Sequence, residues 1–194
     1  MRPLEIRAYH AAGHAVIARS LGLVVTRVLI VSTDPAGGIV DGGWTESDLD
    51  ASRRQLGRID IDEQRAQTFI AGSIAHVCLE HRDFVNVLMS DGIGDFVILL
   101  PLAPLYSVSR TVIDAASYIV EHGSVLTPVL KQAWDTCASW TEESDWLLSL
   151  HMRVSKLVDA HWSAIEQEAR RLIDEVQAEF SASRAVEAEI VSPR

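Results

Sequence analysis

Basic residues are scarce in this chain: 17 Lys and Arg stand against 27 Asp and Glu, a formal net charge of −10. A phosphate backbone or an anionic bilayer surface needs a basic face to dock on, so this balance argues against nucleic acid and against such a membrane surface. Cysteine is rarer still. Cys78 and Cys137 make neither a CxxC pair nor a disulfide framework. The expectation that follows is a reduced, intracellular, cytoplasmic setting. Long hydrophobic runs are missing as well. The most apolar stretch, Phe96 to Leu105, holds Pro101 and Pro104 and falls well short of the ~20 residues that span hydrocarbon, so no membrane insertion is expected. The stretch from Met1 to His14 carries Arg2, Glu5, Arg7 and two histidines, which does not read as a signal peptide. Of five tryptophans, Trp134, Trp140, Trp146 and Trp162 fall in the C-terminal half and are most economically core packing residues.

What is present fits one globular domain. The chain has 194 residues, 48% apolar and 23% charged, enough for a sizeable core. Pro3 suits a first helical turn and Gly22 suits a helix stop, with Leu4, Tyr9, Ala12, Val16 and Ile17 on a helical period between them. Residues 3 to 21 therefore read as a helix. The β-branched run from Val24 to Val31 reads as a strand, followed by the turn cluster Asp34-Pro35-Ala36-Gly37-Gly38. Ile39 to Trp44 is expected to return as the second strand of a hairpin. A helix is expected from Ile61 to Glu80, then a loop over 81 to 95. Three helical pieces follow at 109–122, 126–138 and 142–179, the last bending or breaking near His161. Ser181 to Arg194 reads as a flexible tail. The predicted class is mainly α with a small β-hairpin (α+β), in a single domain over residues 1–180.

His10 and His14 carry the chemistry. Four residues turn a helix by about 400°, so the two rings share one face a turn apart. That spacing lets two imidazoles grip one tetrahedral metal ion. A third protein ligand is needed, and a catalytic site leaves one position to water. In the HExxH pattern the residue after the first histidine is the glutamate that takes the water's proton. Here it is Ala11, and a methyl group cannot accept a proton. Taken alone, a HxxxH pair also fits two histidines that are only neighbours on a helix.

The flanking residues sharpen the pattern. Ala8-Tyr9-His10-Ala11-Ala12-Gly13-His14-Ala15-Val16 resembles the active-site helix of FtsH-type ATP-dependent zinc metalloproteases, which reads His-Glu-Ala-Gly-His-Ala, usually after a tyrosine. Every position from Tyr9 to Ala15 matches except Ala11. Phe69-Ile70-Ala71-Gly72-Ser73-Ile74-Ala75-His76 is similar to that family's Leu-Ala-Gly-Arg-Ala-Ala-Glu helix, with His76 replacing the first glutamate. Leu157 to Glu166 resembles a C-terminal helix of small, free-standing relatives. The resemblance implies a zincin-like peptidase domain, a zinc ion and a polypeptide substrate. It also implies a third ligand: an aspartate in a Gly/Ser-rich loop. Ser90-Asp91-Gly92-Ile93-Gly94-Asp95-Phe96 matches best, with Asp95 ahead of Asp91 and Asp114 third; the plain alternative for Asp91 and Asp95 is a turn. The family's ATPase module and membrane anchor have no counterpart in the sequence, so a separate ATPase partner and a homo-oligomer are the further partners the resemblance implies.

Other histidines have blander readings. His76 and Glu80, one turn apart, form either a pair that orients a ligand or a solvated helix end shared with His81. His122, His151 and His161 have no usable spacing. For Ala11 two explanations stand open: a general-base glutamate deliberately replaced, or a natural pseudo-enzyme that keeps the fold. On either, the resemblance implies a metallopeptidase without turnover. The alternative is a non-catalytic metal-binding or interaction module.

Overall fold

The structure is a computed structural model that describes residues 3–31, 42–48, 61–89, 93–102, 108–122 and 128–191. Helix α1 spans Pro3–Ser20. It ends as its sequence dictates. Gly22 takes a left-handed φ of 81°, Leu23 N–H donates to the Ala18 carbonyl at 2.9 Å and Gly22 N–H to that of Arg19 at 3.0 Å. This Schellman arrangement satisfies the orphaned helix carbonyls and turns the chain into β1. Strand β1 (Val24–Val31) pairs antiparallel with β2 (Gly42–Asp48), Leu29 opposite Trp44, with an irregularity between Val25 and Arg27. The second strand thus runs on past Trp44 to Asp48; residues 39–41 of the expected Ile39–Trp44 strand lie outside the described residues.

Helix α2 covers Ile61–Glu80, as its pattern predicts. The expected loop over 81–95 is a correction. Helix α3 (Phe84–Met89) forms within it, and α4 begins at Ile93 and runs to Leu99 before a 3-10 turn, Leu100–Leu102. The cause is local: Asp83 Oδ1 accepts from Asn86 N–H at 3.0 Å, and Val87 and Leu88 are fully buried, so a capped turn seats an apolar pair in the core. The conspicuous glycines obscure that signal.

Helices α5 (Arg110–His122), α6 (Pro128–Glu143), α7 (Asp145–Ala160) and α8 (Trp162–Val191) complete the described chain. The break expected near His161 is there. The break expected near 138–142 falls instead at Ser144. Leu130, Ala133, Cys137 and Thr141 keep one buried stripe on α6, and Ser144 Oγ then accepts from Leu147 N–H to start α7. Residues 181–191, read as the start of a tail, continue α8.

Helix α1 is the central element. Ala8 and every residue from His10 to Ala18 are buried, because α2, α8 and the hairpin pack around it. Ile17, Ile70, Ile74, Leu88, Phe96 and Leu99 are fully buried among the largest core side chains, each contributing about 1.5–3 kcal/mol relative to exposure. Trp134, Trp140, Trp146 and Trp162 pack on this core as expected. No helix among the described residues is long and apolar enough to cross a membrane.

Candidate metal centre

The site is built from two segments far apart in sequence. Helix α1 supplies His10 and His14, only 6% and 7% exposed. The first turn of α4 supplies Asp95. Phe96 and Leu99, fully buried on α4, anchor that helix in the core and so fix where Asp95 points. Asp95 Oδ2 lies 2.9 Å from His10 Nε2 and 3.2 Å from His14 Nε2. The two Nε2 atoms are 3.1 Å apart, with the rings nearly perpendicular at 80°. Three ligand-type atoms therefore form a near-equilateral triangle. Ligands at about 2.0–2.1 Å from a tetrahedral ion stand about 3.3–3.4 Å apart, so this triangle needs only slight expansion to hold one.

The proton positions favour that use. His14 Nδ1 is 2.7 Å from the Thr68 carbonyl of α2. A carbonyl only accepts, so Nδ1 must carry the hydrogen. In the neutral ring Nε2 then holds a lone pair, aimed at the Asp95 carboxylate and at His10. Two electron-pair donors at 3.2 Å repel unless a proton or a cation lies between them. Burial of Asp95 opposes its ionisation, but the charges of His14 and His10 and their hydrogen bonds override it, holding the carboxyl well below the usual carboxylate range. Burial also disfavours charge on His14, yet the Asp95 charge, its hydrogen bond and the Thr68 carbonyl carry the imidazole above its ordinary value. For His10 burial prevails over the pull of Asp95 and holds it below. The group thus collects positive charge on a carboxylate that stays ionised.

Ala11, at the expected general-base position, is fully buried in the core cluster. Among the described residues, His10, His14 and Asp95 are the group of side chains close enough to share a metal ion. Asp114 is not brought to them. It sits on α5, 59% exposed, where it accepts from Arg110 Nε at 2.8 Å. Asp91 lies outside the described residues. His76 departs from the solvated reading: it is fully buried, with Nε2 2.7 Å from Glu80 Oε2, while His81 is exposed in a left-handed conformation at φ 55°. His151 stacks on Phe84, ring centroids 4.0 Å apart. The partner that sequence reasoning missed is the Thr68 carbonyl, which no side-chain motif can announce.

No protein-family model, curated protein or solved structure matches the chain.

Proposed function

We propose that this chain is a zinc-metallopeptidase-type domain that keeps its metal centre, His10, His14 and Asp95, and lacks its general base at Ala11. The observation that supports it is the convergence of three donor atoms from α1 and α4 within 3.2 Å of one another, with Asp95 the aspartate expected from the resemblance. Zinc, when bound at such a set, activates a water and polarises a carbonyl. The chain's own residues do the rest. His14 presents its Nε2 lone pair, held in register by donating Nδ1–H to Thr68. His10, whose Nε2 faces Asp95 at 2.9 Å, would offer that nitrogen once an ion takes the place of its proton, and Asp95 supplies the anionic oxygen. The Asp95 side chain, 18% exposed, is the most accessible of the three. Ala11 offers no acceptor for the water's proton, a contribution of about 10²–10⁴ in rate where it is present. The chain as it stands therefore binds metal and polypeptide without turnover. The second reading, a non-catalytic metal-binding or interaction module, is favoured by one observation: Ala11 serves as a fully buried core residue.

Elemental analysis tests the centre. The expected result is about one zinc per chain, lost in His10→Ala, His14→Ala and Asp95→Asn. A metal-free protein after equilibration with zinc would sink the assignment. Stoichiometric iron would keep the centre but displace the peptidase reading, since two histidines and one carboxylate also suit ferrous sites.

A further inference from the structure

Among the described residues α2 contributes no side chain to the His10–His14–Asp95 group, yet it meets both histidines, at the His14 ring and the His10 carbonyl. A side chain at position i+4 of a helix leans back over the preceding turn. Any side chain at position 72 would therefore cover the Thr68 carbonyl. Position 72 is glycine, and its missing Cβ leaves the space that His14 occupies. A Cβ there would overlap His14 Nε2, lie 2.6 Å from His14 Cε1 and stand 2.8 Å from the His10 carbonyl oxygen. The Nδ1–Cε1–Nε2 edge of the ring thus runs along α2, from the Thr68 carbonyl at 2.7 Å to the bare Cα of Gly72. Gly13 allows the same close approach from the other side: a Cβ on it would sit 2.8 Å from the Ala71 carbonyl oxygen and from Ala75 Cβ. His10 is held differently. Its Nδ1 is buried and makes no hydrogen bond among the described residues, so no second contact selects its tautomer.

We propose that α2 forms a socket, the Thr68 carbonyl plus the bare Cα of Gly72, that fixes His14 as the Nδ1–H tautomer before metal arrives, making Gly72 a positioning residue of the metal centre. The purpose of the socket rests on the metal-centre reading; its geometry does not. A ligand fixed in advance loses no ring freedom on binding, and partners that orient metal-bound histidines typically set affinity by 10–100-fold.

Two measurements test this. The first uses the wild-type, metal-free protein with ¹⁵N-labelled histidine rings, in long-range ¹H–¹⁵N spectra taken where the imidazoles are neutral. His14 is assigned by the signal missing from His14→Gln. The expected result is the Nδ1–H tautomer at His14 without metal; an Nε2–H tautomer overturns the socket. The second is Gly72→Ala, followed by circular dichroism, zinc competition titration and the visible absorption of the cobalt-substituted protein. Alanine is the better helix former, so backbone propensity is not what is lost. The expected variant is helical, binds zinc about 10–100-fold more weakly and shows an altered cobalt spectrum. Wild-type affinity with a wild-type cobalt spectrum overturns the role of Gly72, even if melting shifts. Should Gly72→Ala not fold, the tautomer measurement decides alone. A wild-type protein that binds neither zinc nor cobalt defeats the metal-centre reading, and the metal-free tautomer still answers for the socket.

Discussion

Ala11 lies between a metal-ligand candidate and the core, and its full burial makes glutamate there a sharp probe. An ionised carboxylate enclosed without a partner is strongly destabilising. One that meets metal-bound water has a partner. Metal-free Ala11→Glu should therefore melt below wild type, and zinc should restore more stability to it than to wild type. With zinc bound it should cleave an unfolded substrate such as casein at least 10²-fold faster than the wild-type chain, and His14→Ala in that background should abolish cleavage. Equal activity in both proteins would remove position 11 from the mechanism; no cleavage by zinc-loaded Ala11→Glu would favour the non-catalytic module. At this scale the site was legible unevenly. The i, i+4 spacing put His10 and His14 on one helix face, and the residues flanking them, through the resemblance, marked the pair as ligand candidates. Asp95 was reached only through a resemblance, because a residue 85 positions away leaves no local pattern. Thr68 and Gly72 were illegible, one acting through its backbone and the other through an absent side chain. His76 was misplaced in part because its pairing with Glu80 suits a helix surface, whereas α1, α3, α4 and α7 all pack on α2.

Elements with strong end signals were read closely. Helix α1 was bracketed by Pro3 and Gly22, and α2 matched its pattern end to end. Where the apolar period ran on through a joint, boundaries slipped, as between α6 and α7. Ser144 marks that joint physically: it is buried, Oγ accepts from Leu147 N–H at 3.3 Å, and Asp145 follows in the first turn where the helix dipole favours an acid. Ser144→Ala should cost about 1 kcal/mol, the usual worth of an N-cap. For a domain of this size that lowers the melting temperature by about 2–4 °C. The thermal shift should come without loss of metal, because the joint contributes no ligand. An unchanged melting temperature would mean that packing of Leu147 and Leu150, not the cap, sets where α7 begins.

For the whole molecule, an ion held by His10, His14 and Asp95 would act as a clamp, tying α1 to α4. An ion that binds the folded state adds RT ln(1 + [M]/Kd), about 2.7 kcal/mol at a hundredfold excess over Kd. In a domain of this length that is about 5–10 °C of melting temperature. Its pH dependence has a defined sign. Burial works against charge on His14, but Asp95 and Thr68 outweigh it and raise its pKa. In the metal-free protein a raised pKa stabilises below the unfolded value, and that increment fades as pH rises through the folded one. Zinc needs the neutral ring, so its increment does the opposite. It is full above neutrality and declines as protons reclaim His14, with His10, held lower by burial, protonating further down. Asp95, ionised throughout, does not set the window. Melting with zinc and with a chelator should therefore differ most near pH 8 and converge by about pH 5. A gap that persists or widens in acid would show that the ion sits elsewhere, on groups that do not compete with protons in this range, and coincident curves at pH 8 would show that no ion clamps α1 to α4.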